Sequence, residues 1–152
     1  MAKGDDLEDR LVNFAVRVIR VCTNLPDTLE ARHIRGQLSR SGTAPAPHCA
    51  EARGAESTRD FIHKLGMCLK EINESKIWLL IILRSEMLAA VRLAAIIQES
   101  DELAKIISSS IRTAKEKTID NRRPNVTIVQ SERKWLKSGK NECHERMATA
   151  IE

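Results

Sequence analysis

Leu7-Glu8-Asp9-Arg10-Leu11-Val12-Asn13-Phe14-Ala15-Val16-Arg17-Val18-Ile19-Arg20-Val21-Cys22-Thr23-Asn24-Leu25 is the stretch that decides the fold class. Within it Leu7, Leu11, Phe14, Val18, Val21 and Leu25 recur at alternating four- and three-residue steps. That spacing stacks side chains along one face of an α-helix and makes a seam of the kind that packs in bundles. Val12, Ala15, Val16, Ile19 and Cys22 widen the apolar arc well beyond the roughly 100° a narrow seam needs, so this helix is expected to bury two faces. Its opposite side carries Arg10, Asn13, Arg17, Arg20 and Asn24, a stripe of amides and guanidiniums.

Working outward, Pro26-Asp27-Thr28 ends the first helix and caps a second, because proline cannot continue a helix and Asp or Thr can bond its free first-turn amides. The second helix carries Leu29, Ile34 and Leu38 on one side until Ser41-Gly42-Thr43-Ala44-Pro45-Ala46-Pro47 interrupts it, and helix-compatible sequence resumes from Ala50 to Ala55. Ser57-Thr58-Arg59-Asp60 has the spacing of a capping box and opens the third helix, with a seam of Phe61, Leu65, Cys68, Ile72, Leu79 and Leu83. Its later half, Ile77 to Leu83, is apolar all round and needs neighbours on every side, which points to self-association. A fourth helix spans about Leu88 to Lys117, with Ile96, Leu103, Ile107 and Ala114 on the core side and Ile97, Ile106 and Ile111 flanking. Its terminal Arg112, Lys115 and Lys117 complement the partial negative charge of a helix C-terminus. The expected fold is therefore all-α, an antiparallel up-down four-helix bundle over residues 1–118 with a proline-broken second helix. Residues 119–152, with a β-branched stretch at Val126-Thr127-Ile128-Val129 and a lone Trp135, read as a tail or a short added helix.

Composition agrees with helices. Gly and Pro together make only 10 of 152 residues and aromatics 3%, with no Tyr, whereas sheets draw on aromatic residues and turns on Gly and Pro. The net charge is +4, and the six arginines Arg10, Arg17, Arg20, Arg32, Arg35 and Arg40, set against Asp27 and Glu30, match all of it in one stretch. Arginine's planar fork suits bidentate phosphate or carboxylate binding better than an ammonium does, although a solvated helix face has the same composition. Cys22, Cys49, Cys68 and Cys143 fall singly, with no secretory segment before them, which reads as reduced thiols in a cytoplasmic protein. The longest apolar run, Ile77 to Leu83, is far below the roughly 20 residues of a membrane span.

Tests for chemistry give little. A di-iron bundle needs paired Glu-x-x-His motifs, and Glu71 with Glu74 makes Glu-x-x-Glu instead. The pairs His48-Cys49 and Cys143-His144 have poor spacing for zinc, the 39–47 loop lacks the Gly-Lys-Ser/Thr of a phosphate loop, and no nucleophile elbow is encoded. Neither enzyme activity, metal nor cofactor is expected. Glu71, Glu74 and Trp78 share one flank of the third helix, with Glu51 on the resumed second. Pairing of these carboxylates with Lys70 or with the arginines accounts for them, with Trp78 as an interface anchor.

The succession Ala50-Glu51-Ala52-Arg53-Gly54-Ala55-Glu56-Ser57, Asp60-Phe61-Ile62-His63-Lys64-Leu65, Lys70-Glu71-Ile72-Asn73-Glu74 and Trp78-Leu79 resembles a bacterial four-helix-bundle family, over roughly Leu7 to Lys117. That family includes proteins encoded within intervening sequences of large-subunit ribosomal RNA genes and is similar to the accessory variability determinant of diversity-generating retroelements. The resemblance implies a basic, cytoplasmic, non-enzymatic bundle that assembles as a homopentamer and, in the retroelement branch, binds nucleic acid and a reverse transcriptase. It marks Glu51, Asp60, Phe61, Lys64, Glu71, Glu74 and Trp78 as architectural or interface positions. His48 and Cys49 stand where such families often carry Asn or an aromatic residue. The expected function is binding of RNA or DNA backbones by the six arginines, with a protein-interaction scaffold as the alternative.

Overall fold

In the computed structural model, residues 3–120 are described, and every element among them is helical: α1 (Lys3–Thr23), α2 (Leu29–Thr43), α3 (Pro45–Arg53), α4 (Thr58–Arg84) and α5 (Ala90–Asp120). Local chemistry sets the starts. The Thr28 hydroxyl accepts from the Ala31 amide at 3.2 Å and opens α2, and the Ser57 hydroxyl accepts from the Asp60 amide at 3.1 Å and opens α4. Each satisfies one of the amides a helix start leaves without a partner.

The proline interruption is far shorter than the sequence suggests. Only Ala44 separates α2 from α3, and it keeps right-handed helical angles while its amide still donates to the Arg40 carbonyl at 3.2 Å. Pro45 stands at the first position of α3 and Pro47 two residues later, inside the first turn, where an amide has no intrahelical acceptor to lose. The two segments act as one helix bent near Pro45, so the fold is the four-helix, all-α arrangement read from the sequence.

A unit comprising Met1–Lys115 holds the bundle. The α2–α3 arm packs against α1 on one side and α4 on the other. Two ion pairs close the circuit through α5: Arg10 to Glu99 at 2.9 Å joins it to α1, and Lys76 to Asp101 joins it to α4. The start of α1 meets the end of α3 through Arg53 and Glu8 at 2.7 Å, its end meets the start of α5 through Asn24 and Arg92, and α4 passes Pro45 at Cys68 before Ser41 at Ser75, so these neighbours run antiparallel. A second unit, Glu116–Glu152, contributes to the described residues only the end of α5. The features read in the tail, including Val126-Thr127-Ile128-Val129, Trp135 and Cys143, lie outside the described residues.

The core is the set of seams predicted from periodicity. Leu11, Phe14, Val18, Val21 and Leu25 of the first seam are buried, as are Ile34, Leu38, Leu65, Cys68, Ile72, Leu79, Ile96, Leu103, Ile107 and Ala114. Where α2 crosses its neighbours the residues are small. A Cβ on Gly42 would lie 2.5 Å from Val18 Cγ1, so the α1–α2 approach depends on a bare backbone there. At the α2–α4 crossing the buried Ser75 hydroxyl lies 3.1 Å from that of Ser41 and donates to the Glu71 carbonyl at 2.8 Å. The end of α4 is a Schellman motif. Met87 and Glu86 amides donate to Ile82 and Leu83 carbonyls at 3.2 Å each, with Glu86 held at φ 56°, a conformation that glycine adopts more readily.

Three expectations need correction. Leu29, placed with Ile34 and Leu38, is 77% exposed, because at 3.6 residues per turn it lies on the opposite side of α2 from the buried row of Ala31, Ile34 and Leu38. The second apolar face of α1 finds no cover among the described residues: Val12, Val16 and Ile19 remain 47%, 40% and 50% exposed. In the apolar half of α4, Ile77 projects outward, whereas Leu79 and Ile82 are buried in the core.

Candidate nucleic-acid interface

The six arginines do not form one face. Arg10 is half-buried between two carboxylates of α5, with Nε 3.0 Å from Glu99 Oε1 and Nη2 3.1 Å from Glu102 Oε2. Burial works against its charge, but the two carboxylates outweigh burial and leave its pKa above the ordinary arginine value. Arg35 turns back to the C-terminus of α1. Its guanidinium donates to the carbonyls of Cys22 and Leu25 at 3.0 Å each and of Pro26 at 3.3 Å. These carbonyls lie at the helix end and in the turn that follows, and the charge offsets the negative end of the helix dipole. Arg32 pairs with Asp27 at 3.1 Å, both in solvent, and the exposed Arg40 pairs with the partly buried Glu74 at 3.4 Å.

Arg17 and Arg20 differ from these four. No ion pair is formed by either among the described residues. Both line a groove of about 290 Å³ between the C-terminal end of α1 and the start of α5, together with Val21, Asn24, Leu88, Arg92 and Ile96. Arg92 is the residue that sequence reasoning missed. It lies 72 positions after Arg20 in the chain, so no local pattern joins them, yet its Nη2 donates to Asn24 Oδ1 at 3.3 Å and sets its guanidinium at the mouth of the groove. Three arginines therefore line one groove whose lining contains no carboxylate.

The positions singled out as architectural differ in what they touch. Glu74 accepts from Trp78 Nε1 at 3.3 Å and from Arg40, which also donates to Gln37 Oε1 at 2.7 Å. The Trp78 ring meets His33 edge-on, with centroids 6.0 Å apart, so this cluster ties α2 to α4. Asp60 and Lys64 pair within α4 at 2.8 Å; that hydrogen bond, against some desolvation, holds the Asp60 carboxyl below its ordinary range. Phe61 packs half-buried on the core, and Glu71 is likewise partly buried. Glu51 is mostly exposed, and its Oε2 lies 3.8 Å from His48 Nδ1, too far for a hydrogen bond. That nitrogen is buried without a hydrogen-bond partner among the described residues. Cys22, Cys49 and Cys68 are buried free thiols, and burial pushes Cys68 up to about 12. Among the described residues no group of three or more His, Cys, Asp or Glu is placed to hold a metal ion, and no helix is long and apolar enough to cross a membrane.

With this geometry in place, comparison with known proteins assigns the family. The model of the 23S rRNA-intervening sequence proteins matches residues 7–109, which span α1 to α4 and most of α5. The chain belongs to that family. Among solved structures it is similar to a protein of unknown function from the S23 ribosomal protein family of Bacteroides thetaiotaomicron VPI-5482. The two share 33% identity, with a TM-score of 0.65, over 69% of this chain and 97% of the other. No curated protein matches. The match ends at residue 109, so the groove and the Arg40–Glu74–Trp78 cluster both lie within the 23S rRNA-intervening sequence protein region.

Proposed function

We propose that this 23S rRNA-intervening sequence protein is a non-enzymatic homo-oligomer, a pentamer, that binds the phosphate backbone of RNA or DNA. The observation that carries the reading is the division among the arginines. Arg10, Arg32 and Arg40 face carboxylates and Arg35 caps a helix, while the partly buried Arg17 and the exposed Arg20 line a groove with Arg92 that has no acid in its lining. Unneutralised arginines on a rigid helix are suited to phosphate oxygens, which position a nucleic acid without reading its bases.

Assembly follows from the apolar residues left over. Val12, Val16 and Ile19 make an exposed stripe on α1, and Ile77 is separately exposed on α4, more than a lone bundle needs to show water. Repetition of the basic groove around a ring multiplies a modest local charge into an extended surface. Few aromatics are available for stacking, so affinity comes from counterion release and falls steeply with salt. A reverse transcriptase or another cytoplasmic protein partner fits the retroelement branch of the resemblance. The test is the double charge reversal Arg17→Glu/Arg20→Glu. Nucleic-acid binding is expected to disappear while the oligomer mass stays unchanged. An oligomer indifferent to every nucleic acid would instead favour a scaffold for proteins.

A further inference from the structure

The groove between α1 and α5 has a shape and charge that a continuous backbone alone does not use. We propose that it seats a phosphate monoester together with the sugar that carries it, and so takes the phosphorylated end of a nucleic-acid strand. This inference rests on the nucleic-acid reading and narrows it to one feature of the strand.

Charge is the first argument. Arg17, Arg20 and Arg92 bring three permanent positive charges to one opening with no carboxylate in its lining. A backbone diester carries a single negative charge, whereas a terminal monoester carries roughly −1.5 to −2 near neutral pH and exposes three acceptor oxygens. Three forked donors therefore match the monoester more fully than the diester. The helix ends reinforce this. Arg92 lies in the first turn of α5, which holds no acidic residue and stands at the positive end of the helix dipole. The negative end of α1 on the other side is already occupied by Arg35, with the Asn24 side-chain amide on the Arg20 carbonyl at 2.7 Å.

Size and lining are the second. About 290 Å³ sits at the lower edge of the roughly 300–1,000 Å³ typical of small-ligand pockets. It admits a phosphoryl group and one sugar, and it is too small for a duplex. Val21, Leu88 and Ile96 supply an aliphatic wall against which a sugar can pack. No aromatic residue lines the groove, so the terminal base is not selected by stacking.

The experiment uses the full-length protein and one short single-stranded RNA, before and after removal of its terminal phosphates, followed by fluorescence anisotropy at about 50 mM salt, where electrostatic binding is strong. The phosphorylated strand is expected to bind about fivefold or more tightly, with the preference shrinking below about pH 6 as the monoester takes up its second proton. Arg92→Gln and Arg17→Gln should each erase the preference while the circular dichroism melt stays at the wild-type temperature. Equal affinities for the two strands, or a preference that survives both substitutions, would overturn the proposal. Uridine 5′-monophosphate titrated alone separates this claim from the wider one. If neither RNA binds but the nucleotide binds saturably and Arg92→Gln abolishes it, the backbone-binding reading fails and the phosphate seat stands, with a free nucleotide as its source. If the nucleotide also fails to bind, the seat is refuted as well.

Discussion

Replacing Gly42 by Ala is the substitution whose cost the structure defines most sharply. A Cβ there would lie 2.5 Å from Val18 Cγ1 and 2.7 Å from Cγ2, where ordinary contact begins near 3.4 Å. Something must retreat by close to an ångström. Val18 is fully buried and β-branched, with essentially one rotamer open to it in a helix, so its side chain cannot swing aside and the two helices must separate. Overpacking of this kind costs about 1–3 kcal/mol, offset by the ~0.5–1 kcal/mol that Ala gains over Gly in a helix. The net expectation is ~1–2 kcal/mol of destabilisation, which lowers the melting temperature by about 4–8 °C for an ordered region of this size. Gly36, on the exposed side of the same helix, supplies the control. Its Cβ would meet nothing within 4 Å, so Gly36→Ala is expected to stabilise by ~0.5–1 kcal/mol. Urea denaturation of the two variants should thus give shifts of opposite sign. In a Val18→Ala background the Gly42→Ala penalty should vanish, which a double-mutant cycle reads as a coupling of ~1–2 kcal/mol. If Gly42→Ala is as stable as the parent, the close α1–α2 crossing is wrong.

Three further outcomes follow from individual side chains. Arg35→Gln should destabilise the fold by about 1–2 kcal/mol, since it strips charged hydrogen bonds from carbonyls at the end of α1; an unchanged denaturation midpoint accompanied by weaker RNA binding would mean that Arg35 serves phosphate instead. Cys68, with its thiol pushed up to about 12 inside the core, should be alkylated in the native protein only as fast as the bundle opens, and peptide-resolved mass spectrometry showing rapid native labelling would contradict its burial. The Asp60 carboxyl is depressed by its hydrogen bond to Lys64, so whatever that pair contributes is present above the ordinary carboxylate range near pH 3.9 and is lost as pH falls through the lowered folded value. NMR titration should place Asp60 below that ordinary value and Lys64→Met should raise it; a normal Asp60 in the parent protein would refute the pair.

The seams were legible because they are periodic and local. Leu11 to Leu25 repeats the helical step four times over, and burial followed it at every position. Thr28 and Ser57 were legible as caps, since their partners lie three residues away. What could not be read depended on residues distant in sequence. Arg10 looked like one more solvent-facing arginine, and the Glu99 and Glu102 that neutralise it come from 89 and 92 residues along the chain. Arg92 entered the groove from equally far off. The prolines were legible too, since they bend the second helix where it was read as interrupted; what the sequence did not give is how short the interruption is, because Pro45 and Pro47 fall in the first turn of α3, where proline is tolerated. Val12, Val16 and Ile19 looked like core by their spacing, and nothing among the described residues lies over them.

The central claim, that Arg17 and Arg20 belong to a phosphate-binding surface on an oligomer, is tested most directly by light scattering coupled to size exclusion. The protein would be run alone and with a structured RNA over a salt series. The account predicts a particle of pentamer mass that shifts to a complex at low salt. Six to ten phosphate contacts around the ring would give a loss of roughly 10³–10⁵ in affinity between 50 and 200 mM. An oligomer whose elution is unmoved by RNA or DNA at the lowest salt would contradict it.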